Sequence, residues 1–228
     1  MEHYFFDNKG VSVYFKILRR NNEKAVVLIH GNTVSSDIWV PAVNLFPESY
    51  DIVAPDMRGF GDSSKVSIDA TKGLQDFAED IIALMSYLSY DEYVLVGHSL
   101  GGGVALQVIL NKPRFIKVNK IILVDPMSPY GFGGTKDEKG TPCYQDYAGS
   151  GGGLVAKYNP DFPRLLRAKY RGMDHPSSPV LTIKTLFADD YTPSEELVNS
   201  ILNMMFKMNS NEDFYPGDYI DSQNWPYV

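Results

Sequence analysis

Apolar residues come in short runs through the first half of the chain, and the spacing between runs changes from strand-like to helix-like. Val11, Val13, Phe15 and Ile17 alternate along one face of an extended segment. They follow Phe5-Phe6 across the turn-rich tetrad Asp7-Asn8-Lys9-Gly10, so the pattern predicts a hairpin. Ala25-Val26-Val27-Leu28-Ile29 is apolar throughout, as a strand buried on both faces should be. Ile52-Val53-Ala54, Tyr93-Val94-Leu95-Val96 and Ile121-Ile122-Leu123-Val124 repeat that character. Between them, Leu74, Ala78, Ile81, Met85 and Leu88 follow three- and four-residue steps and share one helical face. Val104 to Leu110 forms another helix, closed by Pro113 soon after. A hairpin followed by strand–helix–strand units predicts an α/β protein with a mostly parallel sheet.

The pattern changes near Met127. Eight of the nineteen glycines fall between Gly131 and Gly153, which marks a loop or linker. Beyond it Asp161 to Tyr170 and Ser194 to Met208 read as helices, while Asn209 to Val228 is polar and aromatic without a period. The expected division is a core over 1–127 and a glycine-rich linker with a smaller, mostly helical cap over 128–228. The run from Val180 to Phe187 is ambiguous, because periodicity does not separate a short apolar strand from a short buried helix. A place in the helical cap is favoured.

Composition adds exclusions. Hydrophobic residues make up 44% of the 228 positions and charged residues 21%, enough apolar surface for a packed core. Lys and Arg number 21 against 28 Asp and Glu, a net charge of −7 that disfavours nucleic acid or an anionic membrane as partner. The lone Cys143 permits neither an internal disulfide nor a thiolate metal cluster. The opening residues Met1 to Asp7 do not read as a signal peptide, and no run approaches the ~18 apolar residues of a spanning helix. Cytoplasm is the expected compartment.

The chemistry concentrates at strand ends. Gly97-His98-Ser99-Leu100-Gly101 stands directly after a buried strand and before a helix, the context a nucleophile elbow requires. A serine in such a sharp turn projects its hydroxyl above the sheet, and side chains two positions away would collide with backbone, hence Gly97 and Gly101. The helix that follows aims its N-terminal amides and positive dipole end at the reacting oxygen. Two further motifs follow earlier strands: His30-Gly31-Asn32, and Asp56-Met57-Arg58-Gly59-Phe60-Gly61-Asp62-Ser63.

Taken in order, these three motifs make residues 1 to about 127 resemble the α/β-hydrolase superfamily. The resemblance implies Ser99 as nucleophile and the backbone amides of Leu100 and Asn32 as oxyanion donors. Losing one such donor costs about a hundred- to a thousandfold in rate. It implies that His30 supports its loop rather than taking the serine proton, and that Asp56, Arg58 and Asp62 order theirs through internal pairs. His98, adjacent to Ser99 in a tight turn, is a poor base. Asn32 in this place is also met in haloalkane dehalogenases, but those enzymes and epoxide hydrolases use an aspartate nucleophile where this chain has Ser99.

The rest of the expected triad is harder to place. A serine needs a base, and the base an orienting carboxylate, in the chain order Ser, Asp or Glu, His. His175 alone follows Ser99, in a loop with no apolar strand before it, and reads as an exposed loop histidine. For the acid, Asp125 at the end of the sixth strand is one candidate; Asp189 or Asp190 would serve if Val180 to Phe187 were a seventh strand. No histidine lies between Asp190 and Val228. The expectation is therefore a serine hydrolase acting on an ester or related acyl bond of a small, apolar substrate, without metal or organic cofactor. Acid and base would come from a C-terminal segment or partner that completes the fold. The alternatives are a hydrolase-fold fragment or binding module without catalysis, and a changed reaction such as perhydrolysis, lactone opening or carbon–carbon cleavage.

Overall fold

A computed structural model describes residues 1–66, 68, 72–127 and 161–210. Cys143, the segment from Gly131 to Gly153 and the tail beyond Ser210 lie outside the described residues.

The hairpin forms as the pattern predicts. Strands β1 (Glu2–Asn8) and β2 (Val11–Leu18) pair antiparallel. Lys9 and Gly10 take φ of 53° and 89°, the left-handed values that a two-residue loop needs to match strand twist. Strands β3 (Lys24–Ile29), β4 (Asp51–Pro55), β5 (Glu92–His98) and β6 (Val118–Val124) complete a six-stranded sheet in the order β1-β2-β4-β3-β5-β6. The contacts β4–β3, β3–β5 and β5–β6 are parallel, and β2 joins β4 antiparallel. Helices α1 (Gln75–Leu88) and α2 (Leu100–Asn111) share one core with Phe15, Ile17, Val27, Ile29 and Leu95. On the other face Val26, Leu28, Ile52, Ala54, Val94 and Val96 form a second core with Val43 and Trp39. Alternate residues of β3 feed both cores, which is why that strand is apolar without alternation.

Two features differ from the pattern-based reading. Tyr14 and Lys16, on the face of β2 opposite Val13 and Phe15, are buried too, Lys16 to 5% exposure. A 3-10 segment over Ser36–Leu45 explains this: its Asp37 carboxylate takes the Lys16 ammonium at 2.6 Å, and Ser36 Oγ accepts from it at 3.0 Å. Burial alone would raise the Asp37 pKa, but the Lys16 hydrogen bond and charge outweigh it and hold the carboxyl below its ordinary range. The 3-10 segment contains Pro41 and lacks a helical period, so apolar spacing does not reveal it.

After Met127 the described elements are helices α3 (Asp161–Arg167), α4 (Pro179–Lys184) and α5 (Glu195–Met205). The ambiguous run is thus helical at its start, capped by Ser178 Oγ on the Val180 amide with Pro179 at the first position. Helix α3 stops before the expected Tyr170 because Lys169 turns left-handed (φ 50°) and the Tyr170 amide reaches back to Leu165. Among the described residues no helix is long and apolar enough to cross a membrane.

Among the described residues strand β6 closes the sheet as an edge, yet it is built like an interior strand: Ile122, Leu123 and Val124 are 46%, 37% and 41% exposed. An apolar edge without proline or charge over its last four residues is a template for pairing with another chain. The 228-residue chain alone is expected to self-associate with rising concentration. Ile122→Lys should shift it toward monomer, as light scattering after gel filtration would register.

Candidate active site

The site lies at the C-terminal ends of β3, β5 and β6, where parallel strands open a crevice. Ser99 joins β5 to α2 with φ 52° and ψ −119°, a conformation that non-glycine residues rarely occupy. The neighbourhood holds it there. The Ser99 amide donates to Val124 O on β6 (3.1 Å), and its carbonyl accepts from the amides of Gly102 and Met127, both at 2.9 Å. Glycines make the approach possible. A Cβ on Gly97 would overlap the Gly101 backbone, and one on Gly101 would overlap the carbonyl oxygens of Ile29 and His30. A Cβ on Gly31 would lie 2.9 Å from His98 Nδ1 and 3.1 Å from Ser99 Cβ, so the His-Gly turn rests directly on the elbow.

His30 is fully buried, and both ring nitrogens are engaged. Nδ1 meets Gly31 O at 2.8 Å and so must donate; Nε2 accepts from the Met57 amide at 3.0 Å. That sets one neutral tautomer, and burial pushes the pKa down. In a trans peptide the carbonyl and amide point opposite ways, so fixing Gly31 O also fixes the direction of the Asn32 N–H. Leu100 opens α2, where an amide has no partner inside the helix. Among the described residues neither amide donates to another group of the chain.

A second layer braces the loop. Buried Asp56 accepts from the Ser36 amide through Oδ1 and from the Asp62 amide through Oδ2, both at 2.7 Å. Arg58 grips Asp80 of α1 with two bonds of 2.6 and 2.7 Å. Ser63 Oγ donates to Asp56 O and accepts from the Tyr14 amide, tying the loop to β2.

The other candidates stand apart from the serine hydroxyl. His98 packs edge-on to Trp39 with ring centroids 6.4 Å apart. Burial lowers its pKa, and the nearby Asp125 charge opposes that. Asp125 is exposed at the end of β6 on a strained backbone (φ 42°), one residue beyond Val124, whose carbonyl receives the Ser99 amide. His175 is half-buried rather than an exposed loop histidine: Nδ1 accepts from the Ser177 amide and Nε2 faces Asp161 at 3.6 Å, both within the helical segment. Asp189 and Asp190 sit in an exposed turn between α4 and α5. Because the preceding run is a helix, the seventh-strand placement of that acid is corrected. Among the described residues no histidine hydrogen-bonds Ser99 Oγ, and no three His, Cys, Asp or Glu gather as a metal site.

A family model for the alpha/beta hydrolase fold matches residues 24–149, more than half of the chain. The chain belongs to the α/β-hydrolase fold family. An uncharacterised hydrolase of Bacillus subtilis, YugF, is 32% identical over 119 residues, covering 52% of this chain and 42% of its own length. A putative esterase/lipase of Haemophilus influenzae is 29% identical over 138 residues, covering 57% and 47%. Among solved structures, an esterase from Exiguobacterium antarcticum superposes with a TM-score of 0.62 at 24% identity, covering 88% of this chain and 66% of that one. The chain thus spans less than half the length of these two sequence relatives. In this member of the α/β-hydrolase fold family, three motifs that stand far apart in sequence meet around one turn. Apolar spacing does not reveal the support from Ser36, Lys16 and Trp39; Ser35-Ser36-Asp37, a run of capping residues, is the one signal of it in the sequence.

Two expectations follow. Gly101→Ala should cost more than about 3 kcal/mol, because backbone and not a flexible side chain blocks its Cβ. Gly10→Ala, with open space but φ 89°, should cost only about 1–2 kcal/mol; urea melts would compare them. His30 and His98 both have lowered pKa values, so the unfolded chain binds protons first. Stability present above about pH 6.5 should therefore fall as pH drops through and below that value, as melts between pH 5 and 8 would record.

Proposed function

We propose that this chain carries the nucleophile and oxyanion half of a serine acyl hydrolase. Ser99 attacks the carbonyl of an ester or related acyl bond, and the amides of Asn32 and Leu100 hold the oxygen that becomes negative. Loss of the leaving group gives an acyl-enzyme, which water then cleaves. The observation that carries this reading is Ser99 itself, held at φ 52° between β5 and α2 with the His30-Gly31-Asn32 turn packed on it. Strain of that kind persists only where the surroundings enforce it. The names of the relatives, a hydrolase and a putative esterase/lipase, support the reaction class.

The base and its carboxylate are proposed to come from sequence outside these 228 residues or from a partner segment, since His3, His30, His98 and His175 are each turned to other contacts. The alternative source of the carboxylate is Asp125 within the chain, which adjoins the elbow through Val124. The proposed substrate is a small apolar acyl compound, with the helices α3 to α5 as its cap; no metal or organic cofactor is required. A second reading, a hydrolase-fold binding module without turnover, is favoured by one observation, the lack of a histidine contact at Ser99 Oγ.

A fluorophosphonate probe decides between them. Labelling confined to Ser99 and abolished in Ser99→Ala supports the hydrolase. A folded protein from its natural source that stays unlabelled at high probe concentration would favour the binding module.

A further inference from the structure

The C-terminal end of α5 touches the core at a point that bears on the oxyanion loop. Lys207 donates to both carboxylate oxygens of Asp62, at 3.1 and 2.9 Å. The Asn209 amide donates to Gly59 O at 2.6 Å, and its side chain to Lys65 O at 3.1 Å. Asn209 is buried, whereas the Lys207–Asp62 pair is about half exposed. Lys65 Nζ in turn donates to the carbonyls of Phe60, Gly61 and Ser63, which stiffens the loop that receives these contacts.

From that loop the connection runs inward without a gap. The Asp62 amide binds one oxygen of Asp56, and the other oxygen binds the amide of Ser36, which opens the 3-10 segment four residues after Asn32. The Lys207 ammonium is held above its ordinary pKa first by the Asp62 hydrogen bond, then by the charges of Asp62, Asp37 and Asp56. It is a cation contributed by the helical segment to the Asp62 carboxylate. Asp37 and Lys207 both line a cleft of about 340 Å³, with Val40, Pro41, Asn203 and Met204. Two arginines link the rest of the helical segment to this end. Arg171 donates to Asn199 and Asn203 on α5 at 2.8 and 2.6 Å, and Arg167 of α3 donates to Ser210 O.

We propose that Lys207 and Asn209 are positioning residues: seating the helical segment on the Gly59–Lys65 loop sets the oxyanion loop through Asp62, Asp56 and Ser36. The oxyanion part of this inference rests on the function proposed above; the coupling itself does not. When the helical segment lifts, Asp62 loses its partner and the Asp56 carboxylate loses the restraint on one of its two amides. The turn carrying Asn32 then loosens. Ser99 reactivity is thereby tied to closure over substrate, although Lys207 and Asn209 touch no reacting atom.

The test compares Lys207→Met, Lys207→Arg and Asn209→Ala by two readouts. Amide hydrogen exchange at Ser36 and Asp62 reports the coupling. The rate of fluorophosphonate labelling at Ser99 reports its effect on the site. Ser194→Ala is the control, since it removes the cap of α5 at the far end, where Ser194 Oγ accepts from the Leu197 amide. Lys207→Met should speed exchange at both amides and slow labelling about two- to fivefold, the scale of an exposed ion pair. Asn209→Ala should do so about three- to tenfold, the scale of a buried hydrogen bond. Lys207→Arg should restore both, and Ser194→Ala should move neither. Unchanged exchange in folded Lys207→Met and Asn209→Ala overturns the proposal, as does an equal change in Ser194→Ala. If exchange shifts as expected while the folded protein from its natural source is never labelled at Ser99, the coupling stands and the hydrolase reading fails.

Discussion

Everything at the site depends on a backbone-to-backbone approach between the end of β3 and the start of α2. The carbonyls of Ile29 and His30 lie where a Cβ of residue 101 would be, and the backbone of residue 101 lies where a Cβ of residue 97 would be. Gly31 closes the same contact from the other side, against Ser99 Cβ and the His98 ring. Backbone this close leaves Ser99 no room to relax from φ 52°. Its amide and carbonyl are meanwhile tied to β6 and to Met127. The cost of one left-handed serine, about 1–2 kcal/mol, is offset because several segments enforce it together. Replacing any one of these glycines would therefore disturb both Ser99 and the turn that faces it.

The fold and the elbow were legible in the sequence because both rest on local signals. Ala25 to Ile29 and Tyr93 to Val96 are apolar without alternation since each residue faces one of two cores. Gly97 and Gly101 flank a serine between a strand and a helix, and a close approach is the physical reason for glycine at both. What was not legible depends on partners far apart in the chain. Lys16 reads as the polar side of a strand until Asp37 and Ser36 arrive to bury it. Ser36 to Leu45 lacks a helical period because a 3-10 turn wound through Pro41 does not repeat like an α-helix. Lys207 looks like the solvated end of a helix and Asn209 like the start of an aperiodic tail, and only the three-dimensional fold places them on Asp62, Gly59 and Lys65. His175 similarly lost its apparent freedom to a neighbour, Asp161, fourteen positions away.

Asp56 gains its importance from having two oxygens. A carboxylate buried at 1% exposure must satisfy both or be strongly penalised. Here one serves the segment after Asn32, and the other serves the turn that receives the helical segment. A hydroxyl or amide in its place would serve one well and the other poorly. The same carboxylate leaves no space for a side chain at Gly61, whose Cβ would overlap it. The spacing from Asp56 to Gly61 to Ser63 is thus the signature of one buried anion wrapped by its own loop.

Positioning and activation of the serine are separable in this architecture. The groups that hold Ser99 and the His30-Gly31-Asn32 turn in place come from β3, β5 and β6 and the turns that follow them, and all belong to the described residues. Proton removal is a different task, and none of the four histidines hydrogen-bonds Ser99 Oγ. In serine hydrolases generally, a site that has lost a triad member still retains about a thousand- to ten-thousandfold catalysis over water from the oxyanion hole and binding alone. The proposed oxyanion donors would act on any acyl carbonyl brought to Ser99, whatever supplies the base. A segment that added a histidine would not need to build a site; it would need only to reach one whose geometry the glycine contacts and Asp56 already maintain.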